Sequence, residues 1–271
     1  MTKPEKDIDL PSVENFLQNM LPRAGQILRR YFHSENLESR KKGKLDFVTA
    51  ADLSADNFIR SELSKNYPGI PVLTEETAPA DFMPLLSEEY LWVVDPLDGT
   101  ANFARGDSNF SISVALVSKG KPIVGALFAP ISSRLFWARD GKDGAFWNGR
   151  NIHVSPVNEL SESIVCTDWS HILSTRDETT DFLHKVYGEV RQIKILGSAA
   201  TDLTLLARGG VDIYHHVHLY PWDVAAAAFL AQKAGAVVTD EKGRAWDAFT
   251  PGILAANPVL HGKLLNLLAM P

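Results

Sequence analysis

Residues 91–103 read Leu-Trp-Val-Val-Asp-Pro-Leu-Asp-Gly-Thr-Ala-Asn-Phe, an apolar run followed by two carboxylates, a glycine and a hydroxyl. The four apolar residues 91–94 predict a strand that is buried on both faces. Pro96 is expected to stop further ladder pairing and to fix the turn. The strand would therefore deliver Asp95 and Asp98 to a sheet edge, where oxygen ligands can gather.

Gly99 and Thr100 add a second kind of ligand to that edge. A glycine lets the backbone approach a ligand closely. A helix that begins at Thr100 would also turn its free N–H groups toward an anion. Since carboxylates bind hard cations, the stretch predicts a combined metal and phosphate site.

Other interpretations of the stretch are weaker. Asp-Pro and Asp-Gly are common in surface turns, but two acids beside a buried strand are costly without a cation or a donor. Haloacid-dehalogenase-like phosphatases place Asp-x-Asp-Gly-Thr after an apolar strand, with the first Asp as nucleophile; their acids are two residues apart, whereas Asp95 and Asp98 are three apart. An EF-hand loop does not fit either, because its ligands recur at alternate positions and a Glu closes the loop twelve residues on.

Composition favours a globular enzyme. The chain has 271 residues, 45% hydrophobic and 22% charged, enough for a large core in one domain or two packed halves. A net charge of −6 and a pI of about 5.8 give nucleic-acid binding little electrostatic support. The basic run Arg40-Lys41-Lys42-Gly43-Lys44 is the exception, and we interpret it as a solvated loop rather than a functional patch.

Cys166 is the only cysteine, which excludes an intrachain disulfide and a thiolate metal cluster. Its apolar neighbours predict a buried, inert thiol rather than a nucleophile. Residues 1–10 do not resemble a signal peptide, and the longest apolar run, 224–231, is too short to cross a bilayer. These features predict a cytoplasmic protein.

The hydrophobic patterning predicts an N-terminal α+β half, residues 1–158, and a C-terminal α/β half, residues 159–271, in one compact unit. The N-terminal half is expected to hold a long first helix with Pro11 in its first turn, a second helix with Asp52 at its start, a short strand over 70–73 and an antiparallel meander over 111–117, 123–129 and 134–138. The C-terminal half is expected to alternate strands near 164, 193, 213 and 237 with helices over 181–190, 199–207 and 222–234.

A further acid, Asp223, precedes a run of alanines and predicts either an ordinary helix N-cap or a ligand. Glu75, Asp95 and Asp98 likewise lie at the ends of apolar elements. This common placement favours the ligand interpretation, because a fold can bring such ends together around one cation.

Five blocks in order resemble the inositol monophosphatase family, the Mg²⁺-dependent, lithium-sensitive phosphatases related to fructose-1,6-bisphosphatase, over nearly the whole chain. They are Asp46-Phe47-Val48-Thr49-Ala50-Ala51-Asp52, Leu73-Thr74-Glu75-Glu76-Thr77, residues 92–103, Gly197-Ser198-Ala199-Ala200 and Trp222-Asp223-Val224-Ala225-Ala226. The resemblance implies a layered αβαβα sandwich and a homodimer.

The resemblance also implies a metal centre with two or three Mg²⁺ ions. Glu75, Asp95 and the carbonyl of Leu97 would hold one ion. Asp95 would bridge to a second ion held with Asp98 and Asp223.

The resemblance further implies how a phosphorylated small molecule would be bound and hydrolysed. Backbone N–H groups of Gly99 and Thr100 would take phosphate oxygens. Asp52 and the Thr100 hydroxyl, with Glu75, would position and help deprotonate a metal-activated water. Further contacts with the substrate would come from Ser198, Ala199, His216 and Asp223.

The substrate is left open between relatives. Members that act on inositol phosphates carry an acid seven residues before the Trp-Asp aspartate, where this chain has His216. The residues 102–106 weakly resemble the histidinol-phosphate phosphatase branch, in which Arg105 could reach the substrate. Fructose-1,6-bisphosphatase, a 3'-phosphoadenosine 5'-phosphate phosphatase and a non-catalytic metal-binding scaffold are further candidates. A zinc site at His215, His216 and His218 is less favoured than a strand tail whose imidazoles point both ways.

Overall fold

The computed structural model describes residues 8–34, 39–41, 47–170 and 172–270. Parts of three sequence features lie outside these ranges: residues 1–7 of the N-terminus, residues 42–44 of the basic run and Asp46 of the first family block. The helices of the described chain are α1 Leu10–Tyr31, α2 Ala50–Asn66, α3 Thr100–Ala104, α4 Arg176–Val186, α5 Ala199–Ala207, α6 Pro221–Lys233 and α7 Pro258–Leu268.

The strands form three sheets. They are β1 Ser39–Lys41, β2 Phe47–Thr49, β3 Val72–Thr74, β4 Leu91–Asp98, β5 Ser111–Ser118, β6 Lys121–Ala129, β7 Arg134–Arg139, β8 Ala145–Trp147, β9 Arg150–Ile152, β10 Ile164–Thr167, β11 Gln192–Ile195, β12 Ile213–His216, β13 Val237–Thr239 and β14 Ile253–Ala256. β1 and β2 pair alone. β3 to β9 form a seven-stranded sheet in chain order, and the third sheet has the order β11-β10-β12-β14-β13.

Strand β4 shows why the fold is layered. Its side chains alternate between two cores: Leu91 and Val93 belong to one, and Trp92 and Val94 belong to the other. Helices α1 and α2 cover the second core, while α5 and α6 cover the first. A strand covered on both faces is a continuous apolar run, which is the pattern that the sequence presents.

The five-stranded sheet packs on the far side of α5 and α6, and a third core beneath α4 and α7 covers its outer face. The order of layers is therefore helices, sheet, helices, sheet, helices. This confirms the αβαβα sandwich that the sequence predicted. The two core faces bury α6 on almost every side, which its small side chains allow.

Most predicted elements are present, with three corrections. β4 does not end at Val94: it runs to Asp98, and its pairing with β5 shifts register between Asp95 and Asp98, so Pro96 lies in a bulge. The predicted helix 181–190 is displaced toward the N-terminus, since α4 begins at Arg176. β14 and α7 were not predicted, and β14 pairs antiparallel with both β12 and β13.

Helix α6 lies against β6 because Gly125 has no side chain. A Cβ on Gly125 would lie 2.9 Å from the carbonyl oxygen of Ala226. This close approach fixes the start of α6, and hence Asp223, relative to the seven-stranded sheet. Across the described residues, none of the helices combines the length and apolarity that a membrane span requires.

Candidate functional site

The bulge of β4 holds Asp95 and Asp98 in buried positions. Asp95 is 1% exposed and Asp98 is 7% exposed. The Asp95 Oδ1 atom accepts a hydrogen bond of 2.9 Å from the backbone N–H of Leu97, so the bulge itself orients this carboxylate. The irregular pairing thus turns a strand end into two fixed acids.

Asp98 is tied to the second half of the chain. Its Oδ2 atom accepts hydrogen bonds from the Ser198 hydroxyl and, at 3.0 Å, from the backbone N–H of Ala200. Ser198 is also the N-cap of α5 and is 1% exposed. The sequence predicted Ser198 as a substrate contact, but the contact seen in the structure is with Asp98.

The pKa values of Asp95 and Asp98 are both raised. Burial raises the pKa of Asp95 well above its usual value, and the charges of Glu75, Asp98 and Asp223 raise it further. Burial also raises the pKa of Asp98 to about 7, against its hydrogen bonds from Ser198 and Ala200. A carboxylate in such surroundings either binds a cation or takes up a proton.

The grouping is open rather than closed. No three His, Cys, Asp or Glu side chains in the described ranges are drawn together in the arrangement that encloses an ion. The electrostatic coupling of Asp95 to Glu75, Asp98 and Asp223 nevertheless shows that the four acids are neighbours.

Gly99 makes the turn between the acids and α3. Its φ is +92°, and a Cβ there would lie 2.9 Å from the carbonyl oxygen of Asn109 and 3.1 Å from Ser198 Cβ. Beside it, Asn102 Nδ2 donates to the carbonyl oxygens of Asn109 and Leu196, each at 2.8 Å. Only glycine fits this conformation and this space, and the close neighbours are protein atoms of Asn109 and Ser198.

Asp52 and Thr100 form a hydrogen-bonded unit. The Thr100 hydroxyl lies 3.1 Å from Asp52 Oδ1 and 3.1 Å from the carbonyl oxygen of Leu97. Asp52 Oδ2 accepts from the Thr49 backbone N–H at 2.9 Å and from the Thr49 hydroxyl. Burial is the largest influence on Asp52 and raises its pKa. Sequence reasoning assigned Thr49 no role, although a Thr-x-x-Asp capping box was the signal for one.

Asp223 is the third residue of α6, which begins at Pro221 after the N-cap Tyr220. Its Oδ2 atom accepts a hydrogen bond of 2.8 Å from the backbone N–H of Tyr220. Asp223 is therefore not the N-cap residue itself, but its carboxylate takes part in a capping box with Tyr220. The carboxylate reaches back toward the start of the helix. Asp223 lines the same cavity as the other acids.

One cavity of about 560 Å³ collects most of the predicted site. Predicted residues on its wall are Glu75, Asp95, Leu97, Asp98, Gly99, Thr100, Ala199, His216 and Asp223. Asp52 and Ser198 are not on the wall, and each lies directly behind a residue that is. Arg105 does not line this cavity either.

The two histidines of β12, His215 and His216, lie in different surroundings. The His215 Nε2 atom is 2.7 Å from Glu241 Oε1, and its ring stacks on Phe182 at 3.6 Å between centroids. His216 lines the cavity, and its Nδ1 atom accepts a 3.1 Å hydrogen bond from the His218 backbone N–H. The imidazoles thus point both ways, as the sequence indicated, and they do not form a zinc site.

Cys166 is completely buried in β10, and burial raises the pKa of its thiol well above the usual value. It is not on the cavity wall. The prediction that this thiol is buried is confirmed.

The sequence did not single out most of the aromatic and apolar residues that line the same cavity. These residues, here called the aromatic wall, come from three loops and from the start of α6: Ala78, Pro79, Phe82, Trp169, Ile172, His218, Leu219, Tyr220 and Trp222. Asp168 and Ser170 are its other polar members. Trp222 belongs to the fifth family block and His218 to the histidine group considered above, but no motif marks the others, because they lie in loops that only the fold brings together.

The sequence profile of the inositol monophosphatase family matches residues 9–269 of the chain. Inositol monophosphatase 1 of Solanum lycopersicum is 34% identical over 268 residues, which cover 96% of each chain. The fructose-1,6-bisphosphatase/inositol-1-monophosphatase of Thermotoga maritima is 32% identical over 253 residues, which cover 93% of this chain and 94% of the relative.

Solved structures give the same relationship. The extragenic suppressor protein suhB of Bartonella henselae superposes with a TM-score of 0.87 at 35% identity, covering 95% of this chain and 98% of the other. Sequence and fold therefore agree along nearly the whole length.

Proposed function

Because the chain belongs to the inositol monophosphatase family and is a phosphoric monoester hydrolase, we propose that it hydrolyses a small sugar or polyol phosphate with Mg²⁺. One observation carries the proposal. Glu75, Asp95, Asp98 and Asp223 share a cavity with the Gly99 turn. Buried acids beside a turn whose backbone N–H groups begin a helix are suited to bind a cation and a phosphate together.

The donor set fits a hard divalent cation, since it consists of carboxylate oxygens and one backbone carbonyl. Glu75, Asp95 and the Leu97 carbonyl would hold one ion, and Asp95, Asp98 and Asp223 would hold a second. Bound Mg²⁺ would lower the pKa of water and offset the negative charge of the phosphoryl oxygens. The number of ions, two or three, belongs to the proposal.

Two residues would bind the phosphate. The backbone N–H groups of Gly99 and Thr100 begin α3 and line the cavity. Ser198 and the Ala200 N–H would hold Asp98 fixed while the phosphate is bound, because both donate to its Oδ2 atom. Ala199, His216 and Asp223 would contact the rest of the substrate.

Asp52 and Thr100 would accept the proton of the attacking water. The Thr100 hydroxyl is within hydrogen-bonding distance of Asp52 Oδ1 and is also on the cavity wall. It can pass a proton to Asp52, whose raised pKa makes the carboxylate a stronger base than an exposed aspartate. Asp52 is 1% exposed, so bulk water is kept from competing for that proton.

Beyond the site itself, we propose that residues 1–158 supply most metal ligands and that residues 159–271 supply Asp223 and substrate contacts. A cytoplasmic location is expected from the single buried cysteine. A homodimer is expected from the family alone. A non-catalytic scaffold would have little use for the Asp52 and Thr100 pair.

The proposal is tested by phosphate release from a panel of inositol, sugar, histidinol and adenosine phosphates with Mg²⁺ and with a chelator. We expect activity that needs Mg²⁺ and that Asp95→Asn abolishes, because the amide keeps the shape but removes the ligand charge. Tyr187→Ala, at a side chain that is 70% exposed and not on the cavity wall, is the control variant. Acid-quenched labelling with a ³²P ester should leave the protein unlabelled. Phosphate trapped on Asp95 would instead favour a haloacid-dehalogenase-like reaction.

A further inference from the structure

Two arginine side chains converge on the ring of Trp147, outside the cavity described above. The guanidinium carbon of Arg134 lies 5.4 Å from the centroid of this ring, and that of Arg208 lies 5.5 Å from it. None of the three residues lines the cavity. Arg134 comes from β7 and Trp147 from β8, while Arg208 is the C-cap residue of α5. Three elements of the fold thus bring two positive charges to one ring.

The indole of Trp147 is a fixed support for both cations. Phe136, its partner in the pairing of β7 with β8, stacks on it with centroids 5.8 Å apart and planes at 15°. An indole ring attracts a guanidinium group through its π-electrons. The ring has no net charge, however, so it orders the two arginines without neutralising them.

Neither arginine has a counter-charge in the part of the chain that the structure describes. No hydrogen bond or ion pair joins either guanidinium group to another residue there. Burial lowers the pKa of Arg208, and the positive charge of Arg134 lowers it further. Arg139, also on β7, shows the usual arrangement, since its Nε atom lies 2.7 Å from Glu14 Oε2. The two arginines at Trp147 therefore repel each other with no acid to offset the repulsion.

The same place has an excess of hydrogen-bond donors. The Nε atom of Arg208 and the Nε1 atom of Trp147 are buried and have no partner among the described residues. Both are N–H groups that can only donate. The Nη atoms of Arg208 are not buried and make no hydrogen bond there, so a ligand can reach them from solution. The missing component is a group that only accepts hydrogen bonds.

Charge and shape limit what that group can be. A cation would add to the repulsion, and a neutral polyol would leave both charges uncompensated. A planar carboxylate matches the fork of one guanidinium group. A tetrahedral oxyanion directs its oxygens several ways, so it can accept from two guanidinium groups at once. Two unpaired arginines around one ring therefore favour a tetrahedral oxyanion.

We propose that Arg134 and Arg208 form a second anion site, separate from the acidic cavity, that binds the oxyanion of phosphate. The site does not depend on the proposed hydrolysis, because it shares no residue with it. A bound phosphate would offset the repulsion between the arginines and supply acceptors for their donors. Inorganic phosphate and the phosphate group of an ester have this chemistry in common.

Equilibrium dialysis of the full chain against ³²P-labelled inorganic phosphate tests the site. The protein is first freed of metal, and the chelator is then dialysed away because it is itself an anion. Without metal, the carboxylates of the cavity repel phosphate, so the arginines are the expected site. We expect one phosphate per chain and an affinity that falls as NaCl is added. Competition by unlabelled glycerol 2-phosphate would extend the ligand to esters, and its absence would restrict the ligand to the free ion.

Four variants identify the residues. Arg134→Gln and Arg208→Gln should each weaken phosphate binding about tenfold or more, because each removes a charged donor. Arg208→Lys keeps the charge without the fork and should weaken binding less. Arg23→Gln is the matched control, since Arg23 also lies over a ring, that of Phe58 at 5.0 Å, but is paired with Glu62 at 2.7 Å.

The control variant should bind phosphate as the wild type does. No phosphate on the metal-free protein, or binding that either glutamine variant retains in full, would overturn the site. Release of phosphate from esters is not the readout, so failure of the proposed hydrolysis would leave this test unaffected.

Discussion

The Thr100 hydroxyl lies 3.1 Å from the Asp52 carboxylate, although 47 residues separate them in sequence, between residues 52 and 100. Asp52 belongs to the first turn of α2, where a capping box with Thr49 fixes its orientation. Thr100 begins α3 at the cavity. The starts of α2 and α3 thus place a carboxylate and a hydroxyl within hydrogen-bonding distance, where a proton can pass between them.

Removing the Thr100 hydroxyl should lower kcat without unfolding the protein. Thr100→Val keeps the shape of the side chain and loses the hydroxyl that links Asp52 to the cavity. Loss of general-base assistance typically costs about 10²- to 10⁴-fold. Steady-state kinetics on the preferred ester would measure the change, and Thr100→Ser, which keeps the hydroxyl, is the matched control. Equal kcat values for the valine and serine variants would remove Thr100 from the proton path.

Asp95→Asn should make the metal-free protein more stable while it removes metal binding. The wild-type carboxylate is buried among Glu75, Asp98 and Asp223, so its charge costs folding free energy. An amide keeps an acceptor for the Leu97 N–H and removes that charge. We expect the free energy of unfolding in chelator at about pH 8 to rise, because the folded-state pKa of Asp95 is raised by burial and by the neighbouring acids. Urea titrations with and without Mg²⁺ would measure it, and a less stable variant in chelator would contradict the electrostatic account.

Stabilisation by Mg²⁺ should grow with pH. The folded-state pKa of Asp98 is raised to about 7, from the ordinary aspartate value of 3.8. Between these values the metal-free folded protein binds more protons than the unfolded chain, so its stability falls as the pH rises. Mg²⁺ competes with those protons, and the increase in Tm on adding Mg²⁺ should therefore be larger at about pH 8 than at about pH 6.

Differential scanning fluorimetry at both pH values, with and without saturating Mg²⁺, would measure this increase. His218 and His261 have lowered pKa values and change stability in the same pH range, with the opposite sign. Their effect is present with and without the ion, so the difference between the two Tm values removes it. An increase in Tm that did not depend on pH would argue against carboxylates as the ligands.

The sequence predicted the buried strand and its acids from a local pattern, whereas the order of the layers was implied by the family resemblance. The run 91–94 is continuous and apolar, and it lies between two cores. Asp95 and Asp98 follow it directly. β14 and α7 escaped prediction because Ile253–Ala256 is too short to distinguish from a buried helix segment by its pattern alone.

The aromatic wall could not be predicted for a different reason. Trp169 and Tyr220 lie in loops 51 residues apart, counted between positions 169 and 220, and neither loop has a periodic pattern. Their place on one cavity depends on the tertiary fold. Residues 91–100, in contrast, show the buried strand, both acids and the glycine in one short stretch.

Gly99→Ala should damage the site through its backbone, and Gly149→Ala separates that effect from strain alone. Both glycines have positive φ, +92° and +80°. A Cβ on Gly99 would lie 2.9 Å from the Asn109 carbonyl oxygen, whereas a Cβ on Gly149 meets nothing within 4 Å. Left-handed backbone costs an alanine about 1–2 kcal/mol, so Gly149→Ala should lose about that much stability and keep its activity. Gly99→Ala should lose more stability and raise KM for the ester, because the N–H groups that we propose to bind the phosphate must move. If urea titration and kinetics gave the same losses for both variants, the close contact at Gly99 would have no role of its own.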